Sequence, residues 1–251
     1  MSLARTLSVL SICVLIIAAH SGISTASAQS IGSACGTVAS PLRIMPIGDS
    51  ITESRRGLLS YRNTLWKTLK RAGCEVDLVG SRRGVCFGLR NSPSIELKGV
   101  AFDQDHEGHW GWRADQINDR LSEWLAANSP DVALIHLGTN DLVQRQGISS
   151  TIRDLIRMVD KIRLENPSAL ILVAKVVPSS IIKDIPTYNR RLERTMQKLS
   201  SPSSPIVMVD MTRGFSLRHH MQYDGLHPNG KGEALIGKRF AQALLQHLAE
   251  N

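Results

Sequence analysis

Short apolar runs alternate with amphipathic segments along most of this 251-residue chain. Largely apolar runs occupy residues 42–47, 132–137 and 169–177, and shorter strands are predicted at 75–80 and 206–209. A strand that is apolar throughout is buried on both faces, which is typical of parallel strands covered by their connecting helices. The pattern therefore predicts an α/β fold. We expect a single doubly wound, flavodoxin-like domain with a parallel sheet of about five strands and helices on both faces.

Helical periodicity marks the segments between these runs, at residues 58–72, 114–128, 150–165, 187–199 and 232–249. Ser150 is predicted to cap the third of these helices, and the Asn166-Pro167 pair is predicted to end it. Residues 84–108 show neither the helical nor the strand period of apolar residues and are rich in Gly, Asn and Asp. We predict a long irregular loop there, of the kind that often carries function.

The first 28 residues have the pattern of a secretory signal peptide. Arg5 is the only charge before an apolar run at residues 7–19, and Ala26-Ser27-Ala28 matches an A-x-A cleavage site. The run is shorter than the roughly 20 residues that span a bilayer. We therefore expect residues 29–251 to form the mature domain of a secreted or periplasmic protein, with no stable membrane insertion after cleavage.

The basic residues do not form a nucleic-acid-binding pattern. Lys and Arg number 30 against 22 acids, but they occur as scattered doublets among acids, and only 4% of residues are aromatic. A nucleic-acid-binding protein usually clusters its bases on one face. We interpret the bases as a solvated surface with some attraction for acidic polymers.

The mature chain has an odd number of cysteines: Cys35, Cys74 and Cys86. In an exported protein this indicates one disulfide and one free thiol. Cys35 and Cys74 each precede a predicted strand and those strands should be neighbours, which favours that pair, with Cys74–Cys86 as the alternative. No C-x-x-C is present, which argues against a zinc or thioredoxin-type site.

Several polar residues of types that act in catalysis lie in predicted loops. Ser50 lies in the turn after the first apolar run, at the edge where open α/β sheets bind ligands, and is either a helix cap or a nucleophile. His227 would take the proton of Ser50, and Asp224, three residues earlier, would hold the other ring nitrogen. These three residues predict a catalytic triad for acyl transfer.

An oxyanion hole is predicted from the same edge of the sheet. The backbone N–H groups of Ser50 and Gly111 and the side-chain amide of Asn140 would supply three donors. The context Gly-Asp-Ser-Ile does not match G-x-S-x-G, so we do not expect an ordinary α/β-hydrolase elbow.

Four sequence blocks together resemble those of the SGNH (GDSL-type) hydrolases. In this chain they are Gly48-Asp-Ser50, Gly111, Gly138-Thr-Asn140-Asp141 and Asp224-Gly-Leu-His227. Within that family the chain is most similar to the acetyl xylan esterases of carbohydrate esterase family 3. It shares with them the segments at residues 45–52, 105–112 and 224–229.

The resemblance implies a secreted serine esterase that works through an acyl-enzyme and needs no cofactor or metal. Its substrate would be an acylated polysaccharide such as xylan, or a small ester, and the acyl group that it removes would be acetyl. We expect the protein to be a monomer. The alternatives within the fold are a lipase, a lysophospholipase or a thioesterase. An alternative of another class is a carbohydrate-binding protein that has lost its chemistry.

The segment at residues 105–112 departs from the family pattern at Trp110, where a serine is expected before the glycine. Trp110 and Trp112 are candidate substrate-binding residues that could stack on a sugar ring; simple packing is the alternative. The acids and histidines at 103–109 lack the helical i,i+4 spacing of a zincin, so we expect them to shape the loop.

Three further polar residues are given structural roles. We interpret Asp49 and Asp141 as hydrogen-bonding the loops that carry the site. His136 lies within an apolar strand, and we expect a core histidine whose ring is satisfied by hydrogen bonds.

Overall fold

The computed structural model describes residues 35–55, 57–85, 96–97 and 99–251. The predicted signal peptide and Cys86 lie outside the described residues. The strands are β1 Leu42–Gly48, β2 Val76–Leu78, β3 Arg82–Arg83, β4 Glu96–Leu97, β5 Val100–Ala101, β6 Asp105–Gly108, β7 Val132–His136, β8 Leu170–Ala174 and β9 Ile206–Val209. The helices are α1 Ser50–Glu53, α2 Ser60–Arg71, α3 Ala114–Ala127, α4 Thr139–Val143, α5 Ile148–Glu165, α6 Ile185–Leu199, α7 Leu217–His220 and α8 Gly230–Glu250.

The five predicted strands form one parallel array in the order β2-β1-β7-β8-β9. On the outer side of β1, β2 pairs with its amino-terminal half, and β6 pairs in parallel with its last two residues, Ile47 and Gly48. The short β3 adds to β6 in antiparallel orientation. The predicted α/β architecture is confirmed, with a central sheet that is mostly parallel.

Side chains alternate between two apolar cores, one on each face of the sheet. Ile44 and Leu134 pack with α2 and α8 on one face. Met45 and Ile135 pack with α3, α5 and α6 on the other. Both faces of the strands are therefore buried, which explains why the strands are continuously apolar.

The prediction of an irregular loop at residues 84–108 was wrong for part of this segment, while residues 86–95 and 98 lie outside the described residues. That segment contains β6, which joins the main sheet, and the β4–β5 pair. The four residues of β6 are Asp-His-Glu-Gly, so they carry no apolar period, yet His106 and Glu107 are buried. Hydrogen bonds and an ion pair stabilise this strand where apolar packing would normally do so.

Ser150 does not cap the third long helix. The helix α5 begins two residues earlier, at Ile148, and its N-cap is Gly147 with φ of 88°. A glycine adopts this left-handed conformation without the steric penalty that a side chain would meet. Ser150 therefore lies inside the first turn.

The disulfide joins Cys35 to Cys74, as favoured over the Cys74–Cys86 alternative. Both cysteines are fully buried. Beside them, the N–H of Glu75 donates to the carbonyl of Cys35 at 3.0 Å, and the N–H of Leu42 donates to the carbonyl of Glu75 at 2.9 Å. The bridge thus ties together the amino-terminal ends of β1 and β2.

His136 is a core residue, as predicted, but its ring has no hydrogen-bond partner within the part of the chain that the structure describes. Only 1% of it is exposed, and neither ring nitrogen has a hydrogen-bond partner among the residues that the structure describes. Burial lowers the pKa of this histidine to about 4, so the ring is neutral at neutral pH. The hydrogen bonds expected for the ring are therefore not found within the described residues.

No helix in the described part of the chain is long and apolar enough to cross a membrane.

Candidate active site

Ser50 is held at the carboxyl end of β1 by a tight turn. A Cβ at Gly48 would lie 2.1 Å from Thr52 Oγ1 and 2.8 Å from the carbonyl oxygen of His136, so only glycine fits there. Asp49 caps α1, since its Oδ1 accepts a hydrogen bond from the N–H of Ile51 at 2.9 Å. Ser50 is thus the first residue of the helix and is not its cap.

Asp224 and His227 are brought side by side by a compact loop near the carboxyl terminus. The N–H of Gln222 donates to the carbonyl of His227 at 2.8 Å, and that of Gly225 donates to the carbonyl of Gln222 at 3.1 Å. Asp224 Oδ1 accepts from the N–H groups of Leu226 and His227 at 2.9 and 3.0 Å. These two backbone hydrogen bonds hold the Asp224 carboxylate in place independently of its contact with the His227 ring.

The three predicted triad residues form one continuous chain of hydrogen bonds. Ser50 Oγ lies 3.0 Å from His227 Nε2, although 177 residues separate the two in sequence. His227 Nδ1 lies 2.8 Å from Asp224 Oδ2. A carboxylate accepts a hydrogen bond, so Nδ1 carries the proton and the lone pair of Nε2 faces the serine hydroxyl.

The pKa of Asp224 lies below its usual value. Burial raises it, but the hydrogen bonds from the backbone N–H groups of His227 and Leu226 and from the His227 ring outweigh the burial. Asp224 is therefore ionised at neutral pH and can accept the hydrogen bond from His227 Nδ1.

The candidate oxyanion donors lie on three different loops. Asn140 is in the first turn of α4, and its amide donates one hydrogen to the carbonyl of Trp112 at 2.9 Å, leaving the second hydrogen for a ligand. Gly111 has a φ of 78°, and its carbonyl accepts from Gln144 Nε2 at 3.2 Å. No acceptor within the described residues takes the backbone N–H of Ser50 or of Gly111.

Buried carboxylates shape the loop that carries Gly111. Glu53, at the end of α1, accepts a hydrogen bond from the N–H of Trp110 at 2.6 Å and pairs with Arg82 at 2.5 Å. Glu107 accepts from the ring of His109 at 2.6 Å and from the backbone and hydroxyl of Ser81 at 2.7 Å each. The acids and histidines of this segment hold it in shape, as predicted.

Asp49 and Asp141 also have the structural roles predicted for them. Asp49 caps α1, and both carboxylate oxygens of Asp141 accept from the N–H of Ala114, at 3.1 and 3.2 Å. Asp141 thus ties the loop after β7 to the start of α3. Within the described residues, no three His, Cys, Asp or Glu side chains are grouped so that they could hold a metal ion.

The two candidate substrate-binding tryptophans have different surroundings. The ring of Trp110 stacks on that of His227, with centroids 5.0 Å apart and 18° between the planes. Trp112 is only partly buried and packs against the core, where its ring lies 4.6 Å from that of His109. Trp110 therefore lies at the candidate site itself, while Trp112 packs against the apolar core and His109.

The cleft beside Ser50 is small. Its free volume is about 10 Å³, which is at the lower limit for one water molecule. Trp110 and His227 line it together with residues that sequence analysis missed, which are Ser54, Arg55, Leu58, Gln222 and Glu233. Glu233 is 5% exposed and accepts from Ser54 Oγ at 2.6 Å, and burial raises its pKa to about 7.

Arg62 is a second residue that sequence analysis missed. Its fully buried guanidinium donates to the backbone carbonyls of the segments around the site, namely those of Thr52, Glu53, Gly84 and Gln104. Burial lowers its pKa to about 10, so it is still charged at neutral pH. The available signal was its position, three and four residues before Leu65 and Trp66 on the apolar face of α2.

Comparison with known structures finds the same fold in carbohydrate esterases. A carbohydrate esterase family 3 protein from Talaromyces cellulolyticus is 30% identical with a TM-score of 0.73, over 84% of this chain and 99% of that chain. A family 3 carbohydrate esterase from Clostridium thermocellum is 29% identical with a TM-score of 0.71, over 84% and 98%. An acetyl esterase mutant with an acetate ion is 30% identical with a TM-score of 0.73, over 83% and 99%.

A sequence relative is much longer than this chain. The multidomain esterase of Ruminococcus flavefaciens is 27% identical over 246 residues, which cover 88% of this chain but only 30% of that protein. The chain thus spans less than a third of the length of that relative.

The family model described as the GDSL-like Lipase/Acylhydrolase family matches residues 47–235, from the end of β1 to beyond His227. The resemblance to the SGNH hydrolases and to carbohydrate esterase family 3 is confirmed by these matches. The chain belongs to the GDSL-like lipase/acylhydrolase family of ester hydrolases and has the SGNH hydrolase fold.

Proposed function

We propose that this protein is a secreted serine esterase that removes acetyl groups from an acylated polysaccharide such as xylan, through an acyl-enzyme. The observation that carries the proposal is the unbroken hydrogen-bond chain from Ser50 Oγ through the His227 ring to Asp224. In this arrangement His227 can take the proton of Ser50 while Asp224 holds the opposite nitrogen of the ring.

In the first half of the reaction, Ser50 Oγ attacks the ester carbonyl carbon while His227 Nε2 takes the hydroxyl proton. The negative charge moves to the carbonyl oxygen, where the N–H groups of Ser50 and Gly111 and the free amide hydrogen of Asn140 would stabilise it. The tetrahedral intermediate then collapses and its bond to the ester oxygen of the sugar breaks; the imidazolium gives its proton to that oxygen, which leaves as a hydroxyl group. Asp224 stabilises the imidazolium throughout.

In the second half, a water molecule attacks the acyl-Ser50 carbonyl and His227 Nε2 takes a proton from it. A second tetrahedral intermediate forms in the same oxyanion hole. Its collapse breaks the bond to Ser50 Oγ, which regains a proton from His227, and releases the carboxylic acid. The cycle restores every group, so no cofactor is required.

The proposal of a small acyl group rests on the similarity to an acetyl esterase structure and on Trp110, whose ring lines the cleft beside Ser50 and stacks on His227. The proposal of a carbohydrate leaving group follows the similarity to carbohydrate esterase family 3 structures. Secretion follows the signal-peptide pattern at residues 1–28.

The nucleophile is tested by hydrolysis of p-nitrophenyl acetate with the purified protein and its Ser50→Ala variant. We expect the variant to lose activity at least about a thousandfold. Ser168→Ala, in an exposed turn, is the control and should retain activity. Equal rates for Ser50→Ala and the unmodified protein would overturn the proposal.

The substrate is tested by mass spectrometry of acetylated xylan after incubation, alongside rates on acetate, butyrate and octanoate esters. We expect acetate release from the polymer and rates that fall with chain length. Preference for octanoate would favour a lipase, lysophospholipase or thioesterase. Binding of xylan without turnover of any ester would favour a carbohydrate-binding protein without catalysis.

A further inference from the structure

A second, much larger groove opens at the same edge of the sheet as the triad. It has a volume of about 470 Å³, within the range of ligand sites, whereas the cleft beside Ser50 has about 10 Å³. Its lining includes Lys175, the residue after β8, and Thr212, three residues after β9. In open α/β sheets, ligands bind at the carboxyl ends of the strands.

The groove shares a wall with the loop that carries Asp224 and His227. Ser179, which lines the groove, donates its hydroxyl to the carbonyl of Gly225 at 2.6 Å, and the N–H of Ser180 donates to the same oxygen at 3.2 Å. Gly225 lies between the two triad residues in sequence. A chain-like ligand in the groove would therefore run close to the candidate catalytic loop.

Exposed apolar side chains belong to both segments that meet at this wall. Tyr223 is 97% exposed and precedes Asp224, while Ile181 is 59% exposed and follows Ser180. Exposed tyrosine rings offer flat apolar surfaces to ligands such as sugar rings. Inside the groove, Pro178, Ile182 and Pro186 add further apolar contact area.

The charged residues that line the groove indicate which kind of sugar ligand it would bind. Among the described residues that line it, Lys175, Lys183 and Arg190 are cationic and none has a carboxylate. Lys175 is neutralised from outside the lining by Glu193 at 2.9 Å and Asp210 at 3.8 Å.

The other two cations are available to a ligand. In the described part of the chain, Lys183 and Arg190 form no ion pair with a carboxylate; Arg190 donates to the hydroxyl of Thr187 at 3.2 Å. Both side chains are exposed at the groove. An arginine and a lysine that are free of protein carboxylates match a ligand carboxylate in charge and hydrogen bonding.

We propose that this groove, formed by the loop after β8, the first turns of α6 and Thr212, binds a uronic acid unit of the polysaccharide substrate. Lys183 and Arg190 would bind its carboxylate while an acetyl ester elsewhere on the chain reaches Ser50. The inference rests on the proposed function and makes it more specific, because it selects acidic over neutral acetylated polysaccharides.

The test measures binding by isothermal titration calorimetry at low salt, in the Ser50→Ala background so that the ligand is not consumed. The probes are two xylo-oligosaccharides of equal length, one with a uronic acid branch and one without. We expect the acidic probe to bind more tightly and its advantage to shrink at high salt, because exposed charges are screened.

The variant that removes both cations is Lys183→Gln with Arg190→Gln. The matched control, Arg194→Gln with Lys198→Gln, makes the same charge change further along α6, outside the groove. We expect the first pair to weaken binding of the acidic probe at least about fivefold and to leave the neutral probe unchanged. We expect the control pair to have little effect, and thermal unfolding would verify that both variants fold.

Two results would overturn the inference: equal binding of the two probes by the unmodified protein, or equal losses for the groove and control variants. Ester hydrolysis by the unmodified protein separates this failure from a failure of the proposed function. If p-nitrophenyl acetate is hydrolysed while the groove variants bind normally, only the groove assignment is lost.

Discussion

The indole ring of Trp110 lies nearly parallel to the imidazole of His227, with 5.0 Å between ring centroids and 18° between planes. The contact covers one face of the candidate general base and restricts its rotation away from Ser50. Trp110 also lines the cleft, at the position where a serine was expected from the family pattern. The same side chain thus contacts the candidate base and forms one wall of the cleft.

Replacing that ring should widen the cleft. We expect Trp110→Ser to raise the ratio of kcat/KM for a butyrate ester over an acetate ester about tenfold, because two more methylene groups can then be buried. Trp124→Phe changes a tryptophan in the core and should leave the ratio unaltered. A Trp110→Ser variant with the original ratio would show that the ring does not limit chain length.

Glu53 links the helix of the nucleophile to the oxyanion loop. We expect Glu53→Gln to lower kcat about tenfold with KM changed less than about threefold, since a neutral amide binds the Trp110 N–H and Arg82 more weakly and lets Gly111 move. The measurement is steady-state hydrolysis of p-nitrophenyl acetate.

The control for that variant is Glu75→Gln, which removes a more exposed carboxylate of the same type that forms an ion pair with Lys70. It should leave kcat near that of the unmodified protein. If Glu53→Gln lowers the unfolding temperature but not kcat, the carboxylate supports the fold alone.

Glu233 should make stability depend on pH. Its pKa is raised by burial from 4.5 to about 7 in the folded protein, so the folded state binds this proton more tightly than the unfolded state does. The stabilisation is fully present below about pH 4.5 and is lost as pH rises through about 7. The loss from this group amounts to at most about 3 kcal/mol in the free energy of unfolding.

The check is urea unfolding of the unmodified protein and of Glu233→Gln at pH 5 and pH 8. The glutamine keeps an acceptor for Ser54 but cannot ionise, so the variant should gain stability relative to the unmodified protein as pH rises. A difference between the two proteins that is the same at both pH values would contradict the assignment.

The Cys35–Cys74 bridge should stabilise the fold without affecting catalysis. It spans 39 residues and lies at the amino-terminal ends of β1 and β2, opposite the edge that carries Ser50. We expect Cys35→Ser with Cys74→Ser to lower the free energy of unfolding by about 4 kcal/mol by relaxing the unfolded chain. At 25 °C the folded variant should keep its kcat. Peptide mapping without reduction that finds Cys86 bridged to Cys74 would contradict the assignment.

The sheet and its edge were predictable because their signals are local. A continuous apolar run such as that at residues 132–137 shows a doubly buried strand without reference to any other part of the chain. Once the strands are known to be parallel, Ser50 and Asn140 must meet at one edge, since both follow strands directly. The Asp224–His227 spacing is likewise short enough for a single turn to pair the two side chains.

The features that could not be predicted depend on partners far away in the chain. The strand β6 has no apolar period, because Glu107 is buried against Ser81 and His109 by hydrogen bonds. The contact between Glu53 and Trp110 joins residues 57 positions apart. Nothing in the local sequence around either residue indicates the other.

The parallel sheet, the order of its helices and the loops that carry the candidate catalytic groups thus follow from local sequence, since hydrophobic periodicity and strand direction are properties of short segments. Three other features became visible in the folded protein: Trp110 stacks on His227, Arg62 is buried among backbone carbonyls, and the ring of His136 has no hydrogen-bond partner within the described residues. The free energy of a buried polar or aromatic side chain depends on which groups surround it. Those groups are brought together by packing between distant segments.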